Sequence, residues 1–144
     1  MILVSSCLAG IPCRYDARPK TNKDIMTLVD SGQAIPVCPE RLGGLPTPRP
    51  KAEIFGGDGE DVLNGFAIVH TDDWKDVTES FVKGAEAVLK IAKDNGIRYA
   101  ILRANSPSCG CGCIYNGSFS GVKHGGDGVT TALLKRNGII VDSI

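Results

Sequence analysis

Short apolar segments alternate along this chain with segments of helical periodicity, and no other feature of the sequence constrains the fold as strongly. The apolar segments are too short for buried helices and have the length of buried strands in a parallel sheet. The predicted strands are residues 2–4, 34–38, 66–69, 97–102 and 139–141. Strands that alternate with helices indicate a three-layer α/β fold of the Rossmann-like or flavodoxin-like kind, with a mainly parallel sheet.

The clearest predicted helix carries apolar residues at steps of three or four between Trp74 and Ala92. Two shorter helices are predicted near residues 21–32, with Thr21 as the N-cap, and 127–138, with Asp127 as the N-cap. Residues 39–65 are rich in proline and glycine and have no sustained period, so we expect a long loop there.

Length and charge restrict the classes of protein and partner. A chain of 144 residues corresponds to about one domain, and we expect a single domain over residues 1–144. The 16 basic and 16 acidic side chains cancel, so no net charge attracts nucleic acid. Aromatic residues make up only 6% of the chain, too few for a platform on which bases stack. Long nucleic acids are therefore not expected as partners, and the sequence leaves the oligomeric state open.

The apolar segments also bear on localisation. The first residues lack the basic N-terminal region and the longer apolar stretch of a signal peptide. No segment has the roughly 18 consecutive apolar residues of a membrane span. We therefore expect a cytoplasmic protein without a membrane partner. In that reducing setting the six cysteines are expected to be free for metal binding or reaction.

Three cysteines lie where predicted strands end. Cys7 follows the first strand, Cys38 closes the second, and Cys109 lies in the loop after the strand at 97–102. The carboxyl ends of parallel strands share one edge of the sheet, where ligands of such folds bind, so the three thiols could meet there. The alternative is that they are ordinary buried residues, since free cysteine is among the most buried residue types.

The segment from Cys109 to Cys113 alternates cysteine with glycine. Thiolates select soft metals, and glycine lets the backbone turn closely around one, but the spacing fits neither a zinc finger nor the usual ferredoxin pattern. A single redox-active cysteine near Arg14 or Arg103 is the competing interpretation.

Among the other polar residues, Glu40 lies two positions after Cys38, where its carboxylate could move protons to or from a bound substrate. It could equally be a solvated loop carboxylate. His70 and His124, the two histidines, do not have the spacing of a metalloprotease site, and we expect neither to be a metal ligand. No phosphate-binding loop or dinucleotide-binding pattern is present in the sequence.

Taken together, these segments resemble the family known as domain of unknown function 523. The resemblance covers essentially the whole chain. The motifs that carry it are SSCLAGIPCRYD at residues 5–16, CPE at 38–40, GGL at 43–45, PRP at 48–50, SPSCG at 106–110 and GDGVT at 126–130.

Characterised members of that family are thiouracil desulfidases that hold a [4Fe–4S] cluster by three cysteines and leave one iron without a protein ligand. The resemblance implies that Cys7, Cys38 and Cys109 are the cluster ligands here, that Glu40 is the acid/base carboxylate and that Ser106 is the active-site serine. It also implies an enzyme that converts a small thiolated nucleobase such as 2-thiouracil into uracil and sulfide without net oxidation. A cluster with three cysteine ligands keeps an open Lewis-acid position, as a catalytic zinc site does.

The chain departs from the family pattern at several positions. Ala17 replaces a glycine, and Arg103 replaces a frequent lysine, whose geometry and hydration differ. Cys111 and Cys113 are additional, while Cys13 matches the family motif but receives no ligand role. Two other functions therefore stay open: a non-catalytic metal-binding or sulfur-carrier module that uses residues 109–113, and a structural zinc domain.

Overall fold

The computed structural model describes residues 1–18 and 20–144, over which short strands and helices alternate. The strands are β1 (Ile2–Ser5), β2 (Ala34–Val37), β3 (Ala52–Phe55), β4 (Ile68–Thr71), β5 (Tyr99–Leu102), β6 (Cys113–Tyr115), β7 (Lys123–Gly125) and β8 (Ile140–Ser143). The helices are α1 (Lys23–Asp30), α2 (Pro39–Leu42), α3 (Gly59–Leu63), α4 (Thr78–Asp94) and α5 (Val129–Arg136), and a 3₁₀ helix spans Ser6–Ala9.

Within the described residues, the central sheet has the strand order β2–β1–β5–β8. Every pairing in it is parallel. The predicted α/β class with a mainly parallel sheet is therefore confirmed. Pro36, which has no N–H to donate, lies in the outer strand β2, as proline in a sheet usually does.

The central sheet is covered by helices on both faces. Leu3, Ala100 and Leu102 belong to one core cluster with residues of α4 and α5, whereas Val4 and Ile101 pack in a second cluster with residues of α1. Successive strand residues thus face opposite layers, as the two-residue period of a strand requires. This arrangement gives three layers, with β1 and β5 buried in the middle.

Residues 39–65, predicted as a loop, instead contain α2, β3 and α3. These elements are four or five residues long, too short to show a period in the sequence. Asp58 and Asp61 form a reciprocal capping box at the start of α3. The strand predicted at 66–69 is observed as β4, which pairs antiparallel with β3 rather than joining the central sheet.

Helix starts also differ from the sequence prediction. α1 is capped by Asn22 rather than Thr21, because the Asn22 side chain accepts two backbone N–H groups of the first turn. Asp127 does not cap α5; its carboxylate accepts the N–H of Gly112 and pairs with Lys135. Within the described ranges, no helix has the length and apolar character needed to cross a membrane.

Helices α2 and α4 touch through their backbones. A Cβ atom at Gly84 would overlap the carbonyl oxygen of Pro39, and one at Gly43 would overlap the carbonyl oxygen of Ser80. Glycine at both positions lets the helices approach closely. The contact fixes the start of α2, and with it Glu40, against the longest helix of the fold.

Candidate active site

A cavity of about 370 Å³ opens at the carboxyl edge of the central sheet. It lies beyond the carboxyl ends of β1, β2 and β5. Strands β2 and β5 lie on opposite sides of β1, and ligands of open parallel sheets bind where the strand order reverses in this way. The sequence-predicted residues Cys7, Cys38, Cys109, Glu40 and Ser106 all line it. Residues separated by about 100 positions in sequence thus share one cavity, while their chemical roles remain predictions.

Cys7 and Cys38 have unusual proton affinities in this cavity. A hydrogen bond with the Cys13 thiol lowers the pKa of Cys7, and the same neighbour lowers the pKa of Cys38 to about 7. The Cys38 sulfur also lies 3.6 Å from the Cys13 carbonyl oxygen. Contacts with Cys38 and Cys7 raise the pKa of Cys13, so Cys13 keeps its proton while its two neighbours ionise easily. Thiolates are the form in which cysteine binds metal.

Two arginines at the cavity support the ionised form of Cys7. The charges of Arg103 and Arg14 add to the hydrogen bond from Cys13 in lowering the Cys7 pKa. Burial lowers the pKa of Arg103, and the neighbouring charge of Arg14 lowers it further. The backbone N–H of Arg103 donates to the Ser5 hydroxyl at 2.8 Å, which anchors the end of β5 to the end of β1.

Cys109 is held in a turn after β5. The Ser106 side-chain oxygen accepts the backbone N–H groups of Ser108 and Cys109, each at 3.1 Å. The Thr131 hydroxyl donates to the Cys109 carbonyl oxygen at 2.8 Å. Burial raises the pKa of the Cys109 thiol to about 12, against the opposing effect of nearby hydroxyls. A bound cation would reverse this, because a coordinating thiol is deprotonated.

Glu40 pairs with Arg49 inside the cavity. The Arg49 Nη2 group donates to Glu40 Oε2, and also to the Cys13 carbonyl oxygen at 2.9 Å. The Arg49 side chain is 5% exposed and the Glu40 side chain is 16% exposed, so solvent screens the ion pair little. Glu40 is therefore not the freely solvated loop carboxylate that the sequence left as an alternative.

Sequence reasoning missed the roles of Cys13 and Arg49 in this arrangement. Both residues lie in motifs on which the family resemblance rests, PRP for Arg49 and the first motif for Cys13. The motifs are signals that these residues matter, but they carry no information on which atoms meet. That information depends on how two loops fold back on one another.

The remaining candidate residues lie away from the cavity lining in the described part of the chain. The Cys111 thiol donates to the Val141 carbonyl oxygen at 3.4 Å, and Cys113 begins β6. The His70 ring nitrogens lie near backbone carbonyl oxygens, and His124 is in β7. The two additional cysteines thus do not share the cavity of Cys7, Cys38 and Cys109.

The donor set fits a soft metal centre. Three thiols, two of which ionise easily, surround one cavity, and thiolate donors select iron–sulfur clusters, zinc or copper(I). Within residues 1–18 and 20–144, no three Cys, His, Asp or Glu side chains converge as ligands of a single metal ion. In a [4Fe–4S] cluster each cysteine binds a different iron, so cluster ligands need not converge on one point.

The fold and site define an α/β protein with a thiol-lined cavity at the carboxyl edge of a parallel sheet. The chain belongs to the 2-thiouracil desulfurase family, whose model matches residues 2–143. It is similar to the solved structure of a [4Fe–4S]-dependent thiouracil desulfidase, TudS, with a TM-score of 0.86 and 48% identity. That match covers 99% of this chain and 89% of the other. The resemblance predicted from the sequence motifs is confirmed.

Protein YbbK of Bacillus subtilis (strain 168) is also similar. It is 54% identical over 143 residues, which are 99% of this chain and 95% of the relative. The similarity therefore extends over nearly the full length of both chains, and includes the segments that build the cavity.

Proposed function

We propose that this protein is a [4Fe–4S]-dependent desulfidase that converts a thiolated pyrimidine such as 2-thiouracil into the corresponding oxo-pyrimidine and sulfide. The observation that carries the proposal is the meeting of three thiols, a carboxylate and a hydroxyl around one cavity. Membership of the 2-thiouracil desulfurase family supports the class of substrate. The similarity to TudS supports the cofactor.

Cys7, Cys38 and Cys109 are the proposed ligands of the cluster. Three protein ligands leave one iron open, and when bound this iron supplies a thiophilic Lewis-acid position for the sulfur of a thiocarbonyl group. The protein contributes two thiols whose pKa is lowered, Cys7 and Cys38, and a third, Cys109, held in place by the turn at Ser106.

The other side chains handle protons and orientation. Glu40 accepts a proton from the water molecule that adds to the thiocarbonyl carbon, and proton transfer by a positioned side chain contributes about 10²–10⁴-fold to a rate. The Ser106 oxygen accepts two N–H bonds and lies 3.4 Å from the Ser108 hydroxyl oxygen, so its O–H can donate either to that hydroxyl or to the substrate. The water oxygen becomes the new carbonyl oxygen and loses both of its protons by way of Glu40, while the carbon–sulfur bond breaks with its electron pair on sulfur. The two protons go to the sulfide, so the products are the oxo-pyrimidine and hydrogen sulfide. No electrons enter or leave, so the reaction requires no nicotinamide or flavin.

Anaerobic purification with iron and sulfide analysis tests the cofactor, and chromatographic detection of uracil formed from 2-thiouracil tests the activity. We expect about four irons per chain, release of one sulfide per uracil, and little iron in the C7S, C38S and C109S variants. A protein that takes up no iron after anaerobic reconstitution would contradict the cofactor. A fully loaded protein that leaves thiolated pyrimidines unchanged would contradict the reaction.

The double variant C111S/C113S is the matched control. Because Cys111 and Cys113 lie away from the cavity lining, the proposed desulfidase keeps its cluster and its turnover without them. A sulfur-carrier or metal-binding module that used residues 109–113 would lose its function in this variant. Zinc uptake without iron would instead support a structural zinc domain.

A further inference from the structure

We propose that Arg49 is a positioning residue that fixes the Glu40 carboxylate in the cavity and links it to the loop that carries Cys13. This inference rests on the proposed function, because it concerns how Glu40 is presented for proton transfer. Arg49 itself lines the cavity, and the inference assigns to it the orientation of Glu40 rather than a contact with the substrate.

The hydrogen bonds of Arg49 carry the argument. Nη2 donates to Glu40 Oε2 and to the Cys13 carbonyl oxygen, while Nη1 donates to the Pro46 carbonyl oxygen at 3.0 Å and the Thr47 hydroxyl at 3.1 Å. The guanidinium has five N–H donors, and these four contacts account for both Nη groups. Arg49 is thus committed to protein partners, which is the pattern of a residue that orients another and not of one that binds substrate.

Three segments meet at this guanidinium. Glu40 belongs to the first turn of α2, Cys13 to the loop after the 3₁₀ helix, and Thr47 to the loop before β3. The Cys13 carbonyl oxygen also accepts the Thr47 hydroxyl at 3.4 Å. A planar fork with fixed donor directions can hold three such partners at set angles, which the single ammonium point of a lysine cannot.

Burial makes the ion pair a firm constraint. The Arg49 side chain is nearly inaccessible and that of Glu40 is only slightly exposed, so neither group can exchange its partner for water without cost. The backbone contact of α2 with α4 fixes the helix, and Arg49 fixes the side chain that projects from it. Together they determine where the carboxylate lies relative to the three cysteines.

A double-mutant cycle between Arg49 and Glu40 tests the assignment in the cluster-loaded enzyme. We expect R49Q to lower kcat about 10–100-fold and to change KM less than about 2-fold. The fall in kcat is smaller than the whole contribution of a positioned base, because Glu40 is still present but less well oriented. In the E40Q background the same change should lower kcat by less than about 2-fold, because Arg49 acts through Glu40. R49K should recover part of the loss, since it keeps the charge but not the fork.

The control is R41Q, which removes the same charge from an exposed residue of α2 and should leave kcat and KM unchanged. Iron content and hydrogen exchange over residues 13–18 and 45–50 give readouts besides activity. We expect R49Q to retain full iron while exchange in these two segments increases, because their shared hydrogen-bonding partner is lost.

Additive effects of R49Q and E40Q on kcat would overturn the positioning role while leaving the desulfidase function intact. So would a rise in KM without a fall in kcat, which would indicate a substrate contact. Loss of iron in R49Q would indicate instead that Arg49 is needed to retain the cluster. The double-mutant cycle would then be repeated with R49K and R49K/E40Q, which keep the positive charge. A loaded wild-type enzyme that is inactive on thiolated pyrimidines would overturn both this inference and the proposed function.

Discussion

The Ser106 side-chain oxygen lies 3.1 Å from the Cys109 backbone nitrogen and accepts its N–H group. A serine predicted as catalytic thus also closes the turn that presents a predicted cluster ligand. Because the same oxygen accepts the N–H of Ser108, its loss leaves two donors without a partner in a mostly buried turn. The residue combines a structural and a chemical task, and these can be separated by experiment.

Replacing Ser106 with alanine should lower the free energy of unfolding by about 1–2 kcal/mol, the usual cost of a lost side-chain cap. It should also reduce activity, because the hydroxyl proton donor is gone. Chemical denaturation of the metal-free protein and turnover of the loaded enzyme measure the two effects. S106T, which keeps the hydroxyl, should preserve most of the stability; equal destabilisation by both substitutions would show that the hydroxyl is not what closes the turn.

Replacing Gly84 with alanine should displace α2, since the new Cβ would overlap the Pro39 carbonyl oxygen. Overpacking of this kind costs about 1–3 kcal/mol, and here it also moves Glu40 away from the cysteines. We therefore expect lower stability in thermal denaturation together with a fall in kcat. K83A, an exposed neighbour on α4, is the control. If G84A kept the stability and kcat of the wild type, backbone contact would not be what positions α2.

Asp76 stabilises the start of α4 in a pH-dependent way. Its Oδ1 atom accepts the Thr78 backbone N–H at 2.9 Å, and its hydrogen bonds with Thr78 lower the pKa of the Asp76 carboxyl. The contribution is therefore present above the ordinary pKa of about 3.9 and is lost as pH falls through the lowered value. Asp76 is exposed, so screening keeps the effect below about 1 kcal/mol.

Denaturation of metal-free wild-type and D76A protein at several pH values measures this contribution. The difference in the free energy of unfolding should be largest near pH 7 and should shrink as the pH falls below about 4. A difference that stayed constant across this range would show that the Asp76 charge is not responsible. D72A, a change at an exposed aspartate away from the contact of Asp76 with Thr78, is the comparison for a general loss of negative charge.

The sequence was sufficient to predict the central sheet and the region of the site. Buried parallel strands appear as short apolar runs, and the cysteines that follow β1, β2 and β5 are brought to one edge by the geometry of any parallel sheet. Helix α4 was also predicted, although it begins at Thr78 rather than near Trp74. These features depend on local periodicity, which a single sequence displays.

Two kinds of feature could not be predicted. The short elements between residues 39 and 65 show no period, and α3 depends on a capping box whose two aspartates were not distinguishable from other loop acids. Contacts such as Arg49 with Glu40, or Cys13 with Cys7, are set by the paths of two loops in space. No spacing in the sequence encodes those paths, so the partners could be found only in the folded structure.

Cys13 should control the ionisation of its neighbours in the metal-free protein. Because a hydrogen bond with the Cys13 thiol is the main cause that lowers the Cys38 pKa to about 7, C13A should raise that pKa. At pH 7.5 the Cys38 thiolate fraction then falls, and alkylation slows, since the thiolate is the nucleophile. Mass-spectrometric measurement of Cys38 alkylation against pH should show the midpoint moving to higher pH in C13A. The control is C111A, which removes a thiol outside the cavity and should not move the midpoint. An unchanged midpoint in C13A would mean that the backbone hydrogen bond at Arg41 and the charge of Arg49, and not the Cys13 thiol, lower the pKa of Cys38.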